Sequence, residues 1–318
     1  MAFAVPHLPT GRSTVRDRNR TASPPAFTLL ELCVGIFVSI LAAILFAGMF
    51  DLGYRRSHGC GQPRDATQVR GILQGMVIWA QNNQDQYPLP SALDINDATV
   101  AATGTSKDST GNILSILVYH GFVPAEMFQS PSEVNSNIED YEDYEFEEPA
   151  AAIDPANALW DPALHGAPGA ADNIDTPNNP ATIGNNSYAH TPAVGARRPL
   201  WASTFVSTEA AFGNRGPGII RVSQSPNGPT PVLDPQSNTL LIHGTRDKWE
   251  GYIGFNDNHV NFETRPDPQG LSYVTAARTW RTDNLFYDEP DDPAGTNAYL
   301  GVWTTAGDTK EDFTGWID

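Results

Sequence analysis

An apolar run of membrane length lies near the start of the chain. Residues 32–50 contain no charged side chain, and Glu31 stands directly before them. As an α-helix rising about 1.5 Å per residue, this run would be roughly 28 Å long, which matches a hydrocarbon core of about 30 Å. The pattern predicts one transmembrane helix over residues 27–53. A lone carboxylate at the mouth of such a helix is costly unless a positive group pairs with it.

A second helical pattern follows after a polar stretch that contains several glycines. Residues 54–84 are predicted to be a linker and an amphipathic helix, because apolar residues recur on one helical face. This stripe consists of Val69, Ile72, Leu73, Met76, Val77 and Ala80. It stops at Asn82 and Asn83, where we expect the helix to end.

Strand patterns return in the second half of the chain. Residues 238–243 are an apolar run that we predict to be a buried strand. Residues 251–263 alternate as a β-hairpin with a two-residue turn at 257–258. The register of this turn pairs Phe255 with Val260 and Ile253 with Phe262, all on one face. The other face would then carry His259, Asn261 and Glu263.

The middle of the chain has few periodic apolar positions. Residues 139–148 form a dense acidic run with interleaved aromatic side chains, and residues 149–200 are rich in Ala, Pro, Asn and Gly. We therefore expect residues 85–318 to form a globular head with an acidic, Pro/Asn-rich insertion at about 131–235. Loops of this kind often carry recognition sites. Three aromatic residues of this region either form a binding face or pack into the head: Trp160, Tyr188 and Trp201.

The charge distribution indicates an orientation for the membrane helix. Residues 1–26 contain four arginines and one aspartate, a net charge of +3, and the whole chain carries −18, so residues 27–318 carry −21. A basic stretch before an apolar one predicts a cytoplasmic N-terminus and a head outside the cytoplasm. Only 19 basic residues are scattered along the chain, which argues against nucleic-acid binding.

The sequence FTLLE at residues 27–31 resembles the start of mature type IV pilins and type II secretion pseudopilins. The resemblance covers residues 27–50. It implies that a prepilin peptidase cleaves between Ala26 and Phe27 and that the new amino group of Phe27 is methylated. It also implies that Glu31 guides filament assembly by pairing with the amino group of a neighbouring subunit. Ala26 stands where the family nearly always has Gly.

Two further features resemble large pseudopilin-like proteins. Residues 255–262 match their F-x-D-x-H-V-x-F hairpin, and Cys60 precedes the amphipathic helix as a cysteine does in those relatives. Their later Cys-Pro-Ser is replaced here by Ser130-Pro131-Ser132, which implies a lost disulfide. The implied fold is α+β and pilin-like, with a long N-terminal transmembrane helix packed on an antiparallel sheet in a large, loop-rich head.

The resemblance therefore implies a structural subunit of a type II secretion or type IV pilus-like filament, and not an enzyme. Its precursor would have a cytoplasmic leader at residues 1–26 and a single span of the inner membrane, and assembly would carry the head into a periplasmic or surface filament. Its partners would be other pilin or pseudopilin subunits, prepilin peptidase, the inner-membrane assembly platform and membrane lipid. The alternatives are an uncleaved, membrane-anchored extracytoplasmic binding protein and an ordinary secretory signal.

Two groups of polar residues could bind a metal ion. His243, Asp247, Asp257 and His259 lie close in sequence and would suit a catalytic divalent cation, although a turn and a polar strand position also explain the last two. An acidic loop further on offers the hard oxygen ligands that calcium prefers, and major pseudopilins use calcium in a C-terminal loop. Its candidate ligands are Asp288, Glu289, Asp291 and Asp292, and a solvated acidic turn is the alternative.

Overall fold

The computed structural model describes residues 61–169, 179–225 and 228–318. The predicted leader and transmembrane helix, with Ala26, Phe27 and Glu31, lie outside these ranges. Within the described part of the chain, no helix has the length and apolar character needed to cross a membrane. This part is a mixed α/β structure with antiparallel sheets.

The described residues form short elements joined by long loops. The α-helices are α1 (Gly61–Gln81), α2 (Pro90–Leu93) and α3 (Thr110–Tyr119). Turns of 3-10 helix occur at Gly104–Lys107, Ala125–Phe128, Pro155–Asn157, Gly195–Leu200, Asn238–Leu241 and Lys310–Asp312. The strands are β1 (Tyr188–His190), β2 (Ala210–Asn214), β3 (Ile219–Ser225), β4 (Gly228–Leu233), β5 (Gly251–Phe255), β6 (Val260–Glu263), β7 (Ser272–Val274), β8 (Trp280–Thr282), β9 (Val302–Thr305) and β10 (Thr314–Trp316).

Helix α1 follows the predicted amphipathic pattern. Its apolar stripe is buried, apart from Val77, which is half-buried. The helix ends at the consecutive asparagines, because the Asn83 side chain donates to a carbonyl oxygen of the last turn at 2.8 Å. Residues 84–85 then adopt a left-handed backbone that cannot continue the helix. The predicted helix and its end are confirmed.

Helix α1 packs on a four-stranded antiparallel sheet with the strand order β1-β2-β5-β6. A Cβ atom added to Gly254 of β5 would lie 3.0 Å from Leu73 Cδ2, so glycine allows the helix to approach the strand closely. On the opposite face of the sheet lies a second apolar cluster that includes Ile253, Phe255 and Leu240. Apolar side chains therefore cover both faces of the sheet. Pairs β3–β4, β7–β8 and β9–β10 form separate two-stranded ribbons.

The β5–β6 hairpin forms where predicted, but with a different register. Ile253 pairs with Asn261 instead of Phe262. The loop consists of residues 256–258, because Phe255 and His259 pair directly through the Phe255 N–H. Its third residue, Asn258, has a φ of +68°, and the Asn258 N–H donates to the carbonyl oxygen of Phe255 at 2.8 Å. A turn followed by one left-handed residue is a common three-residue hairpin loop. The predicted pairing and the shared face of these apolar residues are therefore wrong.

Residues 238–243 do not form the predicted buried strand. Asn238–Leu241 is a turn of 3-10 helix in which the Leu240 N–H donates to the carbonyl oxygen of Ser237 at 3.3 Å. The turn buries Leu240 and leaves Leu241 exposed. A short apolar run has too little periodicity to separate a strand from a helical turn. The strand prediction is wrong, and the turn instead brings His243 to α1.

The segment 131–235 contributes to the centre of the fold. It supplies β1 and β2, which form half of the four-stranded sheet. Trp160, Tyr188 and Trp201 are fully buried, and the two indole N–H groups donate to oxygen acceptors at 3.0 and 2.9 Å. The alternative in which these three aromatic residues form a binding face is therefore wrong.

Candidate functional site

A buried carboxylate lies at the junction between α1 and the sheet. Asp65 accepts hydrogen bonds from the Tyr188 hydroxyl, the Asn214 side-chain amide and His243 Nε2. Its Oδ2 atom is 2.9 Å from Asn214 Nδ2 and 2.5 Å from His243 Nε2. Gln68, one turn further along α1, has its Oε1 atom 3.3 Å from the same tyrosine hydroxyl. These five residues are called the Asp65 cluster below.

Three separate parts of the chain meet helix α1 in the Asp65 cluster. Tyr188 begins β1, Asn214 ends β2, and His243 follows the turn Asn238–Leu241. Asp65 precedes Val69 by one helical turn, so its side chain lies on the same face as the apolar stripe and points at the sheet. A buried carboxylate requires such donors, because an unpaired buried charge is strongly destabilising.

The surroundings of the Asp65 cluster keep it closed. Burial raises the pKa of the Tyr188 hydroxyl well above its usual value, and the Asp65 carboxylate raises it further, so the tyrosine remains a donor. The His243 ring meets Tyr252 and Phe262 edge-on. Only 1% of the His243 side chain and 0% of the Asp65 side chain are exposed. Because a substrate could not reach either group without a rearrangement, the arrangement suits anchoring of α1 better than catalysis.

A buried ion pair adjoins the Asp65 cluster. Arg215 follows Asn214, and its guanidinium binds both carboxylate oxygens of Glu133, with 2.9 Å between Nη2 and Oε1. It also binds Asp318 Oδ2 at 3.0 Å. Burial alone would raise the pKa of Glu133, but the hydrogen bonds and charge of Arg215 outweigh burial and hold this pKa below its usual value. Arg215 therefore joins the end of β2 to Glu133 and to Asp318, which lie in distant segments of the chain.

The segment that contains Ser130 lies beside α1. The Gln68 side chain donates to the carbonyl oxygen of Gln129 at 3.2 Å, and Ser130 is buried next to it. The Ser130 N–H donates to Ser187 Oγ at 2.9 Å. Cys60 lies outside the described residues, so the loss of a disulfide stays a prediction.

The four residues proposed for a catalytic metal are not brought together. His243 contacts Tyr252 and Phe262 on the α1 side of the sheet. His259 stacks on Phe255 with 4.3 Å between ring centroids and bonds to Asp257. Because consecutive residues of β5 point to opposite faces, the two histidines lie on opposite sides of the sheet. In the described ranges, no group of three or more His, Cys, Asp or Glu residues is arranged to hold a metal ion.

Two of the four calcium candidates are bound by basic side chains. Asp288 pairs with Arg197 Nη2 at 2.6 Å and with Lys310 Nζ at 3.1 Å. Burial raises the pKa of Asp288, but the charge and hydrogen bonds of Arg197 outweigh it and lower this pKa. Asp291 binds Arg281 in the same way. A calcium ion shared by these two carboxylates would have to displace their basic partners.

The other two candidates are also occupied by donors. Asp292 accepts the backbone N–H groups of residues 294, 296 and 297 at 2.7 to 2.9 Å. Glu289 accepts the Asn284 N–H at 3.1 Å, and burial followed by repulsion from Asp283 raises the pKa of its carboxyl. In the described structure the partners of the four residues include basic side chains and N–H donors, and a calcium site at Asp288, Glu289, Asp291 and Asp292 stays a prediction.

The Asp65 cluster was not among the sites expected from the sequence, although one signal pointed to it. Asp65 stands in phase with the apolar stripe, four residues before Val69, and a carboxylate on a buried helical face must find donors. Its partners could not be read from the sequence, because Tyr188, Asn214 and His243 come from distant parts of the chain.

No known protein family matches this sequence, and no curated protein or solved structure is significantly similar to it.

Proposed function

We propose that the protein is a pilin-like structural subunit of a type II secretion or type IV pilus-like filament. The observation that carries the proposal is Glu31, a single carboxylate directly before an apolar run of membrane length and within the sequence FTLLE. Cleavage between Ala26 and Phe27 would create the positive amino group that such a carboxylate needs. The precursor would span the inner membrane with its N-terminus in the cytoplasm and its head outside it.

The described head supports this proposal. A pilin-like subunit needs a helix that packs on an antiparallel sheet through one apolar stripe, and α1 packs on the sheet in this way. The Asp65 cluster adds a polar anchor between the helix and two strands. The apolar stripe and the Asp65 cluster therefore fix α1 to the head, as the proposal requires of the helix that follows the membrane segment in sequence.

Assembly in this proposal depends on an ion pair between subunits. Glu31 of one subunit would pair with the methylated amino group of Phe27 of its neighbour, in an environment of low dielectric constant. Breaking a buried ion pair by removing one partner typically costs about 3–5 kcal/mol. The apolar helices would pack against one another around this pair. The role is structural, and its partners are other subunits, the prepilin peptidase and the assembly platform.

The proposal is tested by the N-terminus of the protein extracted from membranes. We expect Edman sequencing or mass spectrometry to find N-methyl-Phe27 as the first residue. We also expect Glu31→Ala and Glu31→Gln to insert into the membrane, to be cleaved and to be absent from sheared filaments. The matched control is Glu311→Gln, which removes an exposed carboxylate of the head.

An intact Met1 on protein that never enters filaments would overturn the filament proposal. That result would favour a membrane-anchored extracytoplasmic binding protein. Normal filament entry of Glu31→Ala, with cleavage confirmed, would instead refute only the role given to Glu31.

A further inference from the structure

A groove of about 550 Å³ lies between the end of α3 and the acidic, aromatic segment 139–148. Val118 and Val123 form part of an apolar wall, and the rings of Tyr144 and Phe146 line the groove as well. Phe146 is 55% exposed, and its ring lies 4.9 Å from that of Tyr144, measured between centroids. Phe146 therefore presents apolar ring surface to the groove.

Hydrogen bonds to the core hold the aromatic side of the groove in place. The Tyr144 hydroxyl donates to the carbonyl oxygen of Ser115 in α3 at 2.8 Å. The Tyr141 hydroxyl donates to Asp161 Oδ2 at 3.1 Å, and this fully buried carboxylate also accepts the Glu145 N–H. The acidic run is therefore anchored at several points. A preformed groove binds its ligand more tightly, because less conformational entropy is lost on binding.

The charge of the groove is entirely negative. Among the residues that the structure describes, Glu126, Asp140 and Glu142 line it, and no Lys, Arg or His does so. In the described part of the chain, none of these three carboxylates is in an ion pair. Burial raises the pKa of the Asp140 carboxyl, and repulsion from Glu126 and Glu142 raises it further. A cation in the groove would relieve this repulsion.

We propose that this groove binds an arginine-bearing segment of a partner protein, with the guanidinium between the three carboxylates and the faces of Phe146 and Tyr144. Arginine matches the groove in three ways. Its planar guanidinium stacks on aromatic faces and forms forked hydrogen bonds with carboxylates. Its aliphatic stem would lie along Pro124, an exposed apolar residue of the groove. This inference is independent of the filament proposal, since it uses only the head.

The test uses the purified full chain in an uncharged detergent and a synthetic peptide, acetyl-Arg-Gly-Arg-Gly-Arg-amide. Isothermal titration calorimetry should show binding that weakens with added salt. The matched peptide has citrulline in place of each arginine, which keeps the shape and removes the charge. We expect the citrulline peptide to bind at least fivefold more weakly, the order of one or two exposed ion pairs with a stacked ring.

Protein variants locate the binding on the molecule. Asp140→Asn with Glu142→Gln should weaken the arginine peptide roughly fivefold, and Phe146→Ala should weaken it about threefold. The matched control, Asp143→Asn with Glu147→Gln, removes two exposed carboxylates of the same segment that do not line the groove. Equal weakening by the two double variants would mean attraction to the general negative charge and would overturn the proposal. Equal binding of both peptides would overturn it too.

Discussion

His190 offers the sharpest test of the described core. It lies in β1, is fully buried, and is bonded at both ring nitrogens. Nδ1–H donates to the carbonyl oxygen of Thr191 at 2.9 Å. Nε2 is 2.9 Å from the Thr110 hydroxyl oxygen, which also accepts the backbone N–H of Trp303 at 2.7 Å. In the neutral ring Nε2 is an acceptor, so the Thr110 hydroxyl donates to it, and both ring nitrogens are satisfied without a second ring proton.

Burial lowers the pKa of His190 from 6.5 to about 4, and a hydrogen bond to the Thr191 carbonyl opposes this only in part. Because the unfolded state binds the proton first as pH falls, the neutral ring stabilises the fold fully above about pH 6.5 and loses this contribution as pH falls towards 4. A change of one in pKa is worth about 1.4 kcal/mol, so the whole effect is roughly 3 kcal/mol. About 2 kcal/mol of it should be lost by pH 5.

The assay is urea unfolding followed by tryptophan fluorescence at about pH 7.5 and about pH 5, for the natural protein and for His190→Gln. We expect the natural protein to lose about 2 kcal/mol more than the variant between these values. His259→Gln serves as a control for a histidine outside the core and should behave like the natural protein. If the natural protein and His190→Gln lose the same free energy of unfolding within about 0.5 kcal/mol, the reasoning about His190 is refuted.

Three further outcomes follow from packing and charge. Asp65→Ala should lower the free energy of unfolding by about 3–5 kcal/mol, because three donors lose their buried acceptor. Asp65→Asn keeps one acceptor oxygen and should lower it less, and equal losses in urea unfolding would contradict this. Gly254→Val should destabilise by about 1–3 kcal/mol through overlap with Leu73, whereas Gly254→Ala should be milder, as thermal unfolding can check. Burial raises the pKa of Asp283 from 3.8 to about 7, and Glu289 lies close to it. Because the unfolded state loses this proton first, the contribution of Asp283 to stability falls as pH rises from about 4 to about 7. Thermal unfolding of Asp283→Asn should therefore lose less stability than the natural protein between about pH 5 and about pH 8, and parallel losses would contradict the raised pKa.

Helical periodicity predicted α1 well, because six apolar positions on one face leave few alternatives. The hairpin at residues 251–263 was placed correctly, but its register depended on whether Asn258 joins the turn as a left-handed residue. Asparagine tolerates this conformation without requiring it, so the sequence allowed both loop lengths. Because the loop has one residue more than predicted, Ile253 and Phe255 lie on the opposite face of the hairpin from Val260 and Phe262.

The Asp65 cluster and the acidic groove were harder to predict, for a different reason. Each is built from segments far apart in the chain, such as Asp65 with His243, or Val118 with Phe146. Local patterns show that a residue is polar or apolar, but they do not show which distant residue it meets. The acidic run was recognised in the sequence as a candidate recognition segment. Its groove became visible only when the run was seen against the end of α3.

The anchoring of α1 at Asp65 has a consequence for the way the helix comes apart. A short helix without tertiary contacts would open readily and exchange its amide hydrogens quickly. Here, unfolding of the turn around Asp65 would leave the Tyr188, Asn214 and His243 donors without their shared acceptor. It would also expose these polar groups at the ends of β1 and β2. The part of the helix around Asp65 and the sheet should therefore open together, as one cooperative unit.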